Sequence, residues 1–79
     1  MTTVLIIKDI HSITNKKGEK MAFATLDDGI ETIEATMFSD VYQKYMTLSR
    51  PSIVEVMLQP NRYQNKQTYV VKDIKVYEL

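Results

Sequence analysis

The stretch TNKKGEKMAFATLDDG, residues 14–29, carries the clearest structural pattern of this 79-residue chain. A tip rich in lysine precedes an alternating run of apolar residues, and an acidic turn signal follows it. Such a run between two turn signals is typical of a β-strand flanked by hairpins. Ala22, Ala24 and Leu26 form a small apolar set that suits a crowded barrel interior, so Phe23 is expected on the outer face.

The flanking segments extend this strand into a meander of three. Residues 4–14 are rich in β-branched side chains, and Ile7, Ile10 and Ile13 recur every three positions, which a flat strand cannot keep on one side. A bulge or a strong bend in one long strand would reconcile this spacing with a strand. Residues 33–37 alternate again and predict the third strand.

A short helix is predicted after the third strand. Ser39 can cap it, and Asp40 is favourable at its positive end. Its buried side is expected to consist of Val41, Tyr42, Tyr45 and Leu48. Phe38 is expected to pack with these residues, and the helix is expected to end at Arg50 and Pro51.

Two further strands are predicted at residues 53–59 and 68–76, and the polar segment 60–67 predicts a projecting hairpin loop between them. This order favours an all-β fold, a five-stranded Greek-key barrel of the oligonucleotide-binding (OB) type with one short helix between strands 3 and 4. An SH3-like barrel is the main alternative, although it usually has no such helix. Given the short length, residues 1–79 are expected to form a single OB-fold nucleic-acid-binding domain.

Composition narrows the class of protein. Ten Lys and Arg residues balance ten Asp and Glu residues, which argues against a non-specific polyanion binder of the histone-tail kind. The chain has no cysteine, so a disulfide framework and a thiolate metal site are excluded. No apolar stretch approaches the roughly 20 residues needed to cross a bilayer, and no secretory signal is recognisable. We therefore expect a cytoplasmic protein without a membrane partner.

Catalytic chemistry has little support in the sequence. His11 is the single histidine and has no evident partner, and neither a nucleophile elbow nor a phosphate-cradling glycine loop occurs. The acidic residues Asp27, Asp28, Glu31 and Glu34 lack the spacing of a calcium loop and predict a polar turn with a solvated strand face. We therefore expect no enzyme activity, no catalytic residue, no metal ion and no cofactor in this domain.

Residues 10–48 also resemble a known family. The resemblance is carried by KKGEKMAFATLDD and IEATMFSDVYQKY, which are similar to the OB domain near the C-terminal end of the bacterial replicative DNA polymerase III alpha subunit. The matching positions are Lys16, Lys17, Gly18, Met21, Ala22, Phe23, Thr25, Leu26, Asp28, Ile33, Glu34, Phe38, Tyr42 and Tyr45. The resemblance implies an accessory domain without polymerase activity, because the active site lies elsewhere in that subunit.

Single strands are bound by cations that contact phosphates and by aromatic faces on which bases stack. In an OB barrel, the loops between strands 1 and 2 and between strands 4 and 5 flank the usual binding face. The predicted nucleic-acid-binding residues on and between these loops are Lys16, Lys17, Lys20, Met21, Phe23, Arg62, Tyr63, Lys66 and Tyr69. The alternatives are a merely solvated lysine tip and packing of Phe23 beneath a neighbouring loop.

The leading functional hypothesis is a monomeric domain that binds single-stranded DNA, largely without sequence choice, as an accessory part of a bacterial DNA polymerase III alpha subunit. Other replication proteins are further candidate partners. The second hypothesis is a protein-interaction module that docks through Met21, Phe23, Met37 and the acidic residues. The third is an RNA- or tRNA-binding OB domain, because stacking and phosphate contacts do not distinguish the two sugars.

Overall fold

A computed structural model of the chain describes residues 2–49, 52–63 and 65–77, and these ranges contain five strands and one helix. The elements are β1 (Thr2–Thr14), β2 (Lys20–Asp27), β3 (Thr32–Met37), α1 (Ser39–Thr47), β4 (Ile53–Tyr63) and β5 (Lys66–Val76). The strands form a closed barrel in the order β1, β2, β3, β5, β4, in which only the β3–β5 pair is parallel. The predicted five-stranded barrel with its helix between strands 3 and 4 is confirmed.

The first strand contains the expected bulge. Its pairing with β2 shifts register between Ile7 and Asp9, and its first half pairs with β4 instead. The bulge changes which side chains face inward, so Ile7 and Ile10 both pack against the core. Ile13 pairs with Met21 and lies on the outer surface, so it does not share the inward side of Ile7 and Ile10.

The barrel interior is built from the inward-facing positions of each strand. The described core residues are Leu5, Ala22, Ala24, Leu26, Ala35, Met37, Val41, Tyr45, Val54, Val56, Leu58, Val71 and Ile74. The predicted small set on β2 is confirmed, because its two alanines and one leucine are all buried. Met37 is completely buried, and the hypothesis that it contacts a partner protein is therefore wrong.

The helix α1 packs against β2, β3 and β5 and buries Val41 and Tyr45, as predicted. The predicted cap at Ser39 is wrong: the extended N-cap residue is Phe38, no side chain caps the helix, and the Ser39 hydroxyl donates instead to Glu19 Oε2 at 3.3 Å. Among the described residues, no helix combines the length and the apolar character needed to cross a bilayer.

The end of α1 is reached earlier than the sequence predicts. The helix stops at Thr47, and Ser49 adopts a positive φ of 65° two residues later. Arg50 and Pro51, which were predicted to end the helix, lie outside the described residues.

The connection between β4 and β5 is a hairpin, as predicted, but its strands extend further than the sequence predicts. β4 continues to Tyr63 and β5 begins at Lys66, and these two residues form the last pair of the ladder. The described side chains between Pro60 and Gln67 are all exposed, which explains why the segment is polar. The side-chain amide of Gln67 adds hydrogen bonds within the hairpin, since it donates to the carbonyl groups of Asn61 and Thr68 at 3.3 and 3.0 Å.

The outward side chains of β4, the first half of β1 and the end of β5 form a surface that we call the distal face. It is largely aliphatic, and its exposed large apolar residues are Val4, Ile6, Ile53, Met57 and Tyr77. Glu55 and Lys75 form a cross-strand ion pair on this face, with 3.0 Å between Oε2 and Nζ.

Candidate nucleic-acid interface

A groove runs over the outer surface of β2 and β3, and the β4–β5 hairpin forms one of its walls. Its volume is about 510 Å³. The outward-facing lining residues are Asp9 and His11 of β1, Met21, Phe23 and Thr25 of β2, Glu34, Thr36 and Phe38 at and just beyond β3, and Asn61, Lys66 and Thr68 of the hairpin. We refer to this feature as the groove.

Strand pairing arranges the floor of the groove in rows that cross β1, β2 and β3. The aromatic row contains His11, Phe23 and Thr36, and the carboxylate row contains Asp9, Thr25 and Glu34. The two rows lie about 7 Å apart, because a strand rises roughly 3.3 Å per residue and they are separated by two residues. An aromatic surface therefore lies directly beside a pair of hydrogen-bond acceptors.

Two phenylalanines expose their rings at the groove. Phe23 is 47% exposed and Phe38 is 51% exposed. The prediction that Phe38 packs with the helix is wrong, because its backbone is still extended and keeps the outward alternation of Glu34 and Thr36. The alternation of β3 was the signal that would have placed it correctly.

The lysine tip between β1 and β2 is an ordered turn. The Asn15 side-chain oxygen accepts hydrogen bonds from the backbone N–H groups of Lys17 and Glu19 at 2.9 and 3.0 Å. Gly18 adopts a φ of 80°, which favours glycine at this position. Lys16 and Lys17 are both exposed on this tip.

The lysine tip lies at the end of the groove where β2 begins. Lys20 is the first residue of β2, next to the groove residue Met21. In the described part of the chain, no carboxylate forms an ion pair with Lys16, Lys17 or Lys20. The three lysines therefore lie beside the groove without a direct ion pair, although none of them lines it.

The predicted residues of the hairpin divide between two surfaces. Lys66 lines the groove, where its Nζ lies 3.4 Å from Glu34 Oε2. Arg62 pairs with Gln67 and is exposed, but it does not line the groove. Tyr63 pairs with Lys66 through its backbone, and its side chain lies outside the described part of the structure.

Tyr69 does not line the groove itself. It pairs with the buried Ala35, is partly buried against the core, and lines an adjoining depression that shares Glu34 and Lys66 with the groove. Of the residues predicted from the sequence, the structure thus brings Met21, Phe23 and Lys66 together in the groove.

Comparison with known proteins decides the family. A family model described as an OB-fold nucleic acid binding domain, of the tRNA anti-codon type, matches residues 4–77. The chain belongs to this OB-fold family. No solved structure gives a match.

The OB-fold domain is also similar to part of bacterial polymerase subunits. It is 44% identical over 39 residues to the DNA polymerase III subunit alpha of Staphylococcus aureus, a match that covers 49% of this chain and 4% of that subunit. It is 36% identical over 56 residues to the same subunit of Pseudomonas aeruginosa, which covers 71% of this chain and 5% of that subunit. The domain therefore corresponds to a small fraction of these relatives.

Charge is distributed unevenly along the groove of the OB-fold domain. The lysine tip lies at the start of β2, whereas Asp27 and Asp28 lie at its end. The backbone N–H groups of Glu31 and Ile30 donate to the Asp28 carboxylate and hold the pKa of that group below its ordinary value. A charged Asp28 carboxylate therefore lies at the opposite end of β2 from the lysine tip.

The acidic residues of this turn organise the backbone, as predicted. Asp27 Oδ1 accepts from the Gly29 N–H at 2.7 Å, and Gly29 has a φ of 97°. Among residues 2–49, 52–63 and 65–77, no group of three or more His, Asp or Glu side chains is arranged to hold a metal ion.

Sequence reasoning missed most of the groove floor. Asp9, His11 and Glu34 line it, and His11 is the cross-strand partner of Phe23. No local motif marks these positions, because their alignment depends on the bulge in β1 and on the pairing of three strands.

Proposed function

We propose that this OB-fold domain binds single-stranded DNA as an accessory domain of a bacterial DNA polymerase III alpha subunit. The observation that carries the proposal is the groove, in which two exposed phenylalanines lie beside an ordered lysine tip. Exposed aromatic rings stack on unpaired bases, whereas the bases of a duplex are already stacked on each other. The similarity to the alpha subunits favours DNA as the ligand.

In this proposal, Phe23 and Phe38 stack on bases, and the lysine tip contacts phosphates. Lys20 extends this cationic border at the start of β2, and Lys66, which is paired with Glu34, lies on the hairpin wall of the groove. Arg62, Tyr63 and Tyr69 belong to the outer part of the interface, beyond the groove itself. Because stacking is possible for every base, stacking by itself is expected to make binding depend only weakly on sequence.

Fluorescence anisotropy with labelled single strands tests this function. Strands of about 12 nucleotides suit the roughly 4 to 16 nucleotides that one OB fold covers. Affinity is expected to fall with salt, with a slope of about −0.7 in log–log form for each phosphate contact. A duplex of the same length should bind more weakly, and equal or tighter binding of the duplex would contradict the proposal.

The lysine tip is tested by the double variant Lys16→Glu, Lys17→Glu. It should weaken binding and reduce the size of the salt slope by about 0.7 for each lysine that contacts a phosphate. The double variant Lys72→Glu, Lys75→Glu is the matched control, since it changes the net charge equally and both lysines lie outside the groove. If both double variants lose the same affinity, the lysine tip has no specific role.

RNA is the second candidate ligand, because the matching family model is of the tRNA anti-codon type. The same groove would stack RNA bases, and only contacts to the 2′-hydroxyl group would distinguish the two polymers. Competition between DNA and RNA strands of matched sequence discriminates between them. Preferential displacement by RNA would overturn the assignment to DNA and keep the groove as the binding site.

A further inference from the structure

The floor of the groove carries more negative than positive charge. Among the described lining residues, Asp9 and Glu34 are carboxylates, and Lys66 is the one ammonium group. That ammonium group already forms an ion pair with Glu34. A floor of this kind repels phosphate groups, so the floor is suited to the edges of bases and the border to the backbone of the strand.

The geometry brings base edges to the carboxylates. Phe23 lies in the aromatic row, and Thr25, two residues further along β2, lies between Asp9 and Glu34 in the carboxylate row. The distance between the rows is about 7 Å, and neighbouring strands are about 4.8 Å apart. A base stacked on Phe23 therefore reaches the carboxylate row with its edge.

Carboxylates select among bases because they accept hydrogen bonds and do not donate them. Cytosine presents an N4 amino group, which Asp and Glu side chains bind well, whereas thymine presents the O4 oxygen at the same position. An O4 oxygen facing a carboxylate places two acceptors against each other. The groove floor thus distinguishes the two pyrimidines, although stacking alone does not.

We infer that Asp9 and Glu34 accept hydrogen bonds from the exocyclic amino group of a base stacked on Phe23, so that the domain prefers cytosine to thymine in a single strand. The inference rests on the proposed function and adds base selection to it. It extends to the 6-amino group of adenine, which offers a donor of the same kind.

The test compares oligo(dC) with oligo(dT), each of about 12 nucleotides to suit one OB fold, by anisotropy slightly above neutral pH. The domain should bind oligo(dC) about fivefold more tightly or better, since one good base contact is worth roughly that factor. Glu34→Gln and Asp9→Asn should each reduce this ratio towards one, because an amide group also donates to the thymine oxygen. Both residues are exposed, so the fold should persist.

Glu55→Gln is the matched control, because Glu55 also forms a cross-strand ion pair with a lysine but lies on the distal face. It should leave the ratio unchanged. Equal binding of the two strands, a preference for oligo(dT), or an unchanged ratio in both groove variants would overturn the inference and leave the proposed function standing. Failure to bind either strand at low salt would overturn the proposed function and the inference together.

Discussion

The groove and the distal face are two exposed sides of one barrel that differ in shape and chemistry. Each side carries exposed apolar residues and one cross-strand pair of glutamate and lysine, Glu34 with Lys66 and Glu55 with Lys75. The groove is concave, because the β4–β5 hairpin forms a wall, and its exposed apolar residues include two phenylalanines. The exposed apolar residues of the distal face are mainly aliphatic.

This difference shows that exposed apolar surface alone does not indicate a nucleic-acid site. Large exposed apolar patches mark many kinds of interaction surface. Stacking on bases requires aromatic rings, and holding a strand requires cations that have no carboxylate partner. Both features meet at the groove, which the lysine tip borders. On the distal face, by contrast, Lys75 is paired with Glu55.

The largest effect is expected at the end of β3, where an exposed groove residue follows a core residue. Met37 is fully buried and its neighbour Phe38 is exposed, although one peptide bond separates them. Met37→Ala should lower the free energy of unfolding by about 2 to 5 kcal/mol, as large-to-small core changes do. Phe38→Ala should change it by no more than about 0.5 kcal/mol. Urea denaturation measures both, and an equal loss would mean that Phe38 is a packing residue.

A second effect separates the groove from the distal face. Phe23→Ala and Phe38→Ala should each weaken binding of single-stranded DNA by about 1 to 3 kcal/mol, the usual value of one stacked base. Met57→Ala on the distal face is the matched control, because Met57 and Phe23 are each 47% exposed. Anisotropy titrations should show no loss for the control, and a similar loss in all three variants would remove the distinction between the two faces.

The smallest effect concerns the border of the distal face, where Lys44 of α1 forms an ion pair with Asp73 of β5. The hydrogen bond from Lys44, helped by the Ile74 N–H, lowers the pKa of Asp73 below its ordinary value. A carboxylate with a lowered pKa stabilises the fold above its unfolded pKa of about 4, and this contribution is lost as the pH falls through the lower, folded value.

Because the pair is exposed, the contribution of Asp73 is expected to be about 1 kcal/mol or less. Urea denaturation at neutral pH and at about pH 3, below the ordinary pKa of an aspartate, measures it. The wild type should lose slightly more stability than Asp73→Asn over this interval. An identical loss in the two proteins would show that the ion pair contributes nothing to stability in solution.

Much of the fold was predictable because local patterns specify it. Alternation identified the small interior set of β2, and the helix signals identified Val41 and Tyr45 as its buried residues. The recurrence of isoleucines in β1 predicted the bulge. These features depend on residues close together in the chain, where strand and helix periods apply directly.

The groove floor was less predictable because it depends on pairing between distant residues. Asp9, Thr25 and Glu34 form one row only after three strands are aligned, and the bulge in β1 decides which residues join it. The extent of the β4–β5 hairpin was missed for a related reason, since polar residues beyond the barrel give no alternation. As a result, Arg62 and Tyr69 were predicted to lie with the groove residues, although neither of them lines the groove.

Binding of single-stranded DNA in the groove can be mapped by titrating isotopically labelled domain with the DNA and following the backbone amide chemical shifts. We expect the largest changes to cluster at the aromatic row and the lysine tip, including His11, Phe23 and Lys17. The amides of Val4 and Ile53 on the distal face should stay nearly unchanged. Clustering of the changes on the distal face, with the groove unaffected, would show that the groove is not the DNA-binding site.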